Sequence, residues 1–157
     1  MKNRFGKDNQ LNARLRGQYE DIAKNVEKCV FCDLRDKYIL HEENGLVLTV
    51  NIFPYIDGQL LITPRRHVER FNELTEQEMI TNLSLSKKAI EVLRREINVK
   101  GIWIILRDGE IGPISGKTVK HLHWNIMPYD TKLNTWHYQK ITIAPINLAK
   151  RLRSFFD

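Results

Sequence analysis

The chain has 157 residues, enough for one domain with a true core, and 42% of them are apolar, which excludes a chain too polar to fold. No run of about 18 apolar residues occurs, and the opening MKNRFGKDNQLNARLRGQ holds no apolar stretch to serve as a signal-peptide core, so a membrane span is excluded and a cytosolic protein is expected. Lys and Arg number 25 against 19 Asp and Glu, a formal charge of +6 that favours anionic ligands such as nucleotides, phosphates or nucleic acid.

That charge is dispersed over the N-terminal arm, the Pro64-Arg65-Arg66 loop and the Lys150-Arg151-Leu152-Arg153 end, which reads as a solvated surface, a nucleic-acid groove being the alternative. In chain order, residues 1–28 carry Leu11, Leu15, Tyr19, Ile22 and Val26 at spacings of three and four, predicting an amphipathic helical arm ahead of a domain over 29–157. Cys29 and Cys32 follow, the only two cysteines. In a reducing compartment their spacing fits a metal pair or a redox pair better than a structural disulfide.

From Gly45 the branched run LVLTVNIF predicts a strand, and after the turn Pro54-Tyr55-Ile56-Asp57-Gly58 the run QLLIT predicts a second, ending at Pro64. Thr75-Glu76-Gln77-Glu78 is a capping box that opens a helix. Met79, Leu83, Ile90, Leu93 and Ile97 recur along it at near-helical spacing, so that face is expected to pack on a sheet. GIWIILR is a third strand, and the loop DGEIGPISGK leads into KTVKHLHWNIMPY. Hairpin-length connections argue for an α+β fold with a mainly antiparallel sheet, because parallel pairing needs long crossovers.

If Thr118 to Met127 is extended, His121, His123 and Asn125 share one face while Leu122, Trp124 and Ile126 share the other. Two imidazoles and an amide in a line, directly after a Gly-rich loop, point to function rather than to surface decoration.

GKTVKHLHWNIMP resembles the histidine triad (HIT) signature, in which histidines alternate with apolar residues. VNIFPYIDGQLLITPRRHVERFNELTEQEM is similar to the Asn-bearing strand, Gly turn and Pro-ended strand of the same superfamily, above all its fragile-histidine-triad and dinucleoside-polyphosphate branches, and CVFC resembles the start of bacterial members. These blocks span about Cys29 to Pro128. The resemblance implies a HIT-like sheet of about five strands with one long covering helix, a homodimer, and hydrolysis or transfer of a nucleotidyl group in which His123 attacks the α-phosphate of a dinucleoside polyphosphate or similar conjugate. A neutral imidazole suits that role, since its ordinary pKa is about 6.5 and the phosphoramidate it forms is labile. A phosphorylase or nucleotidyltransferase would use the same intermediate, and a binding protein or nucleic-acid-end processor is the alternative of another class.

Transition-state charge must be held as well. Ser115, Gly116, Lys117 and Thr118 form the loop expected to contact phosphate, Arg107 stands where relatives carry a phosphate-contacting amide, and Asn51 matches the asparagine that contacts ribose. The chain departs from the pattern twice: the third triad position is Asn125, and the turn that commonly reads Gly-His is Gly58-Gln59. A carboxamide can bond a phosphate oxygen but cannot deliver a proton, so substrates with phosphate leaving groups are expected rather than amines.

The resemblance also implies a structural zinc held by Cys29, Cys32, His67 and His121, a complete set of four. His41, nine residues after Cys32, is the rival fourth ligand, and a metal-free thiol pair is the plain alternative. His137, beside Trp136, is expected at the surface or a dimer contact.

Overall fold

The computed structural model describes residues 29–112, 117–129 and 142–153. The helical arm expected over 1–28, together with Ser115, Gly116 and His137, lies outside the described residues.

Five strands form one antiparallel sheet: β1 Ile39–Glu43, β2 Leu46–Val50, β3 Leu60–Pro64, β4 Gly101–Leu106 and β5 Trp124–Tyr129, in the order β1-β2-β3-β5-β4. Strand β1 is absent from the pattern reading, because its ILHEE sequence has no strong alternation and its side chains are mostly exposed. A signal for it exists: Asn44 and Gly45 both have positive φ, 48° and 77°, so the Asn-Gly pair makes the tight turn that joins β1 to β2.

One long helix, α1 Glu76–Ile97, crosses the sheet, and a short one, α2 Pro145–Leu152, follows β5 without having been anticipated. The capping box of α1 is formed, with the Glu78 amide donating to the Thr75 hydroxyl at 3.2 Å and the Thr75 amide donating to the Glu78 carboxylate at 2.8 Å. The packed face differs from the expected one. Leu85, Ala89 and Leu93 are buried with Thr81, Asn82 and Ser86, whereas Leu83 is 66% exposed and Ile97 48% exposed. Small side chains on the inner face let the helix approach β2, β3 and β5 closely, and this contact outweighs the apolar stripe.

The core lies between α1 and one sheet face. Leu46, Leu48, Leu60, Ile62, Leu122, Trp124 and Ile126 come from the sheet side and meet Leu85, Ala89 and Leu93. At about 1.5–3 kcal/mol for each large apolar side chain removed from water, this layer fixes which face of β5 turns inward. The alternate residues His123 and Asn125 are thereby committed to the other face, as the alternation predicts.

Candidate functional site

Regular pairing of β5 begins at Trp124, not at residue 118, since β4 ends at Leu106, the partner of Trp124. The preceding residues are pinned otherwise. The Leu122 amide donates to the Val68 carbonyl at 2.6 Å, Thr63 Oγ1 donates to the Leu122 carbonyl at 3.0 Å, and His121 Nε2 donates to the Pro64 carbonyl at 3.0 Å. His121 and His123 are therefore held rigidly although they lie outside the ladder.

His123 is 6% exposed, and its Nδ1 donates to the His121 carbonyl at 2.9 Å. A carbonyl only accepts, so Nδ1 carries the proton and Nε2 keeps its lone pair. Burial pushes the His123 pKa down to about 4, with the positive charges of Arg107 and Lys117 acting in the same direction and the carbonyl bond opposing them. The imidazole is accordingly neutral near pH 7.

His123 opens onto a small cleft whose other polar lining is Asn51, Tyr55, Arg107, Thr118 and Asn125. Phe31, from the segment between the cysteines, covers it with its ring centroid 4.7 Å from that of His123. Arg107 Nη1 donates to the Tyr55 hydroxyl at 3.3 Å, and its guanidinium lies 5.3 Å from the Tyr55 ring centre, so the cation stands at the cleft wall. Asn51 Oδ1 accepts from the Phe53 amide at 3.0 Å, which fixes its orientation. Lys117 is 2% exposed, and its Nζ donates to the Glu69 carbonyl at 2.9 Å. Burial pushes its pKa down, although its charge still bears on His123. A wider, open hollow on the outer face of α1 is walled by Ile90 and by the charged side chains of Lys87, Glu91, Arg94 and Arg95.

Asn125 is 2% exposed, between Leu61 of β3 and Ile105 of β4. Its Oδ1 accepts from Gln59 Nε2 at 2.9 Å. Gln59 Oε1 in turn accepts from the Tyr55 amide at 2.7 Å.

Beside the cleft, Cys29, Cys32, His67 and His121 bring one ligand atom each to within 4.8 Å of one another. His121 Nδ1 is 3.2 Å from Cys29 Sγ, and His67 Nδ1 is 3.3 Å from Cys32 Sγ. Each outer nitrogen has its own partner, Pro64 O for His121 and the Glu69 carboxylate at 3.2 Å for His67, so both Nδ1 atoms can present lone pairs to one ion. A Cys2His2 donor set of this kind fits tetrahedral zinc. His41 takes no part; it lies on β1 with Nε2 3.6 Å from the Glu43 carboxylate.

The HIT domain pattern matches residues 34–132, well over half of the chain. The chain belongs to the HIT family. This HIT protein is 35% identical over 96 residues to a bis(5'-adenosyl)-triphosphatase of Dictyostelium discoideum, covering 59% of this chain and 62% of that one. It is 29% identical over 97 residues to an AP-4-A phosphorylase of Mycobacterium tuberculosis, covering 57% of this chain and 49% of the relative. The chain thus spans roughly half to two thirds of these two relatives. A HIT family protein from Bacillus anthracis superposes with a TM-score of 0.68 at 21% identity, covering 84% of this chain and 97% of that one, which shows the shared fold.

Within this HIT domain the structure gathers Asn51, Arg107, Thr118, His123 and Asn125 around one cleft and the four metal-ligand candidates beside it. Three participants escaped the sequence reading. Phe31 looks like a spacer between two cysteines, Tyr55 like a turn residue, and Glu69 like a surface acid. No local pattern marks them, because Tyr55 meets Arg107 across 52 positions and the Glu69 carbonyl meets Lys117 across 48, while Phe31 reaches His123 only through the fold.

Proposed function

We propose that this HIT protein is a nucleotide hydrolase that cleaves dinucleoside polyphosphates or related nucleotide conjugates through a nucleotidyl-histidine intermediate. The carrying observation is the His123 Nδ1 bond to the His121 carbonyl, which leaves Nε2 unprotonated on a residue lining the cleft. Nε2 attacks the α-phosphorus, an N–P bond forms, and the P–O bond to the departing polyphosphate breaks. Water then attacks the phosphoramidate, the N–P bond breaks, and the nucleoside monophosphate leaves. Arg107 and Thr118 supply charge and a hydroxyl to the phosphate oxygens, Asn125 supplies amide hydrogens, Asn51 meets the ribose, and Ser115, Gly116 and Lys117 complete the phosphate loop.

Zinc held by Cys29, Cys32, His67 and His121 would be structural, tying the segment that carries Phe31 to the strand that carries His123. A homodimer accords with β4 standing last in the order of the described strands, where Ile104 is 45% exposed. No described helix is long and apolar enough to cross a membrane, and two free cysteines accord with a cytosolic site of action.

The deciding experiment incubates the protein with diadenosine tetraphosphate, quenches in base, and measures intact mass. An adenylyl adduct is expected, absent in His123→Ala. No adduct and no turnover would leave a binding protein instead. The likeness to an AP-4-A phosphorylase favours a second reading in which phosphate replaces water. Formation of ADP in place of AMP when phosphate is supplied distinguishes it.

A further inference from the structure

The two positions at which this chain departs from the histidine pattern, Gln59 and Asn125, are bonded to each other. Both are 2% exposed. The chain of bonds has only one direction. A backbone N–H donates and never accepts, so the Tyr55 amide at 2.7 Å requires the oxygen of Gln59 on that side. Gln59 Nε2 must then face the other way, where it donates to Asn125 Oδ1 at 2.9 Å. The Asn125 oxygen is thereby turned to Gln59, which leaves its NH2 facing the other way. One of those hydrogens reaches toward the Ile105 carbonyl at 3.5 Å, the outer limit of a hydrogen bond, and Asn125 lines the cleft beside His123 and Arg107.

The anchor is rigid. The Gln59 amide donates to the Ile56 carbonyl at 3.2 Å, and the Gln59 carbonyl accepts from Asn51 at 3.1 Å. Gly58, at φ 81°, holds a left-handed conformation, and a Cβ there would displace the Cδ1 end of Ile97 and lie 3.3 Å from Pro128 Cγ. Turning either buried carboxamide over would set donor against donor or acceptor against acceptor.

We propose that Gln59 is a positioning residue that sets the hydrogen-bond polarity of the cleft, holding Asn125 as a fixed donor toward an anionic phosphate oxygen. This inference rests on the proposed function for the identity of the substrate as a phosphate ester or anhydride. A fixed donor suits an oxygen on which negative charge is growing, and Arg107 in the same cleft adds a full positive charge. The same position offers no transferable proton, and its oxygen is turned to Gln59.

A double-mutant cycle tests whether Gln59 acts through Asn125. Wild type, Gln59→Met, Asn125→Ala and the double variant are compared in diadenosine tetraphosphate turnover and, independently of turnover, in AMP affinity by calorimetry. Asn125→Ala is expected to lower kcat about 100-fold, as loss of one transition-state donor does. Gln59→Met, which keeps length but not polarity, should lose about tenfold, and the double variant should be no worse than Asn125→Ala, because the two positions form one unit. Gln59→Glu keeps the shape and reverses the polarity, so it should fall below Gln59→Met; it also replaces that variant in the cycle should Gln59→Met fold poorly. An additive cycle, or Gln59→Met within about twofold of wild type, overturns the role of Gln59 and leaves the hydrolase reading standing. AMP binding that follows the cycle in a protein without turnover supports the Gln59 role while the hydrolase reading falls. Absence of AMP binding by the wild type overturns both.

Discussion

The carbonyl of Pro64, the last residue of β3, accepts a hydrogen bond from His121 Nε2 at 3.0 Å across 57 residues of chain. The same His121 turns Nδ1 to the cysteines and lends its own carbonyl to His123 Nδ1. One residue therefore joins the end of the central strand β3, the thiol cluster and the proposed nucleophile.

Metal content follows first. Protein purified without chelator should hold about one zinc per chain, and Cys29→Ser or His67→Ala should lose it, while His41→Ala should keep it. Loss of the ion should lower the unfolding midpoint on the order of 10 °C and reduce turnover, as the His121 carbonyl loosens its hold on His123. Elemental analysis with thermal melts reads both; a zinc-free wild type would end the proposal.

Leaving-group preference follows from Asn125. A carboxamide cannot protonate an amine, so kcat/KM for diadenosine tetraphosphate should exceed that for an adenosine phosphoramidate by at least about 100-fold. Parallel steady-state assays decide it, and comparable values for the two substrates would count against the donor role.

Acid should act on the start of α1. Glu78 accepts from Arg66 Nε at 2.9 Å and Nη2 at 2.8 Å, and also from the Thr75 amide; the Arg66 bonds, with help from Thr75, hold its pKa below the ordinary carboxylate value. A folded-state pKa lower than the unfolded one means that the unfolded chain binds more protons as pH falls. The stabilisation is thus complete above the unfolded-state pKa and lost as pH drops through the folded-state one. Glu78→Gln should cost about 1 kcal/mol at pH 7, an unfolding midpoint lower by about 2–4 °C, and the gap to wild type should close in acid. Melting curves across a pH series measure the gap.

Gly58 offers a test of the turn that carries Gln59. Any side chain there meets Ile97 and Pro128 and must adopt φ 81°. Gly58→Ala is expected to cost about 1–3 kcal/mol, lowering the midpoint by about 3–10 °C, and to depress kcat by displacing Gln59. An equally active and equally stable variant would show that the turn adapts without moving the amide pair.

What the sequence determined by itself was whatever depends on local order. The capping box placed Thr75 and the start of α1, the period-two alternation put His123 and Asn125 opposite Trp124 and Ile126, and the spacing of Cys29 and Cys32 marked a metal or redox pair, because each rests on neighbours a few residues apart. The inner face of α1 was misread, since the small residues Thr81, Asn82, Ser86 and Ala89 are chosen by distance to the sheet and not by hydropathy. Only the tertiary structure decided which groups meet: His67 rather than His41 beside the thiols, Phe31 over His123, Lys117 on the Glu69 carbonyl, and Gln59 against Asn125. Those pairings arise where sheet order and turn geometry bring distant segments together, and a buried donor takes the acceptor that the fold leaves within reach.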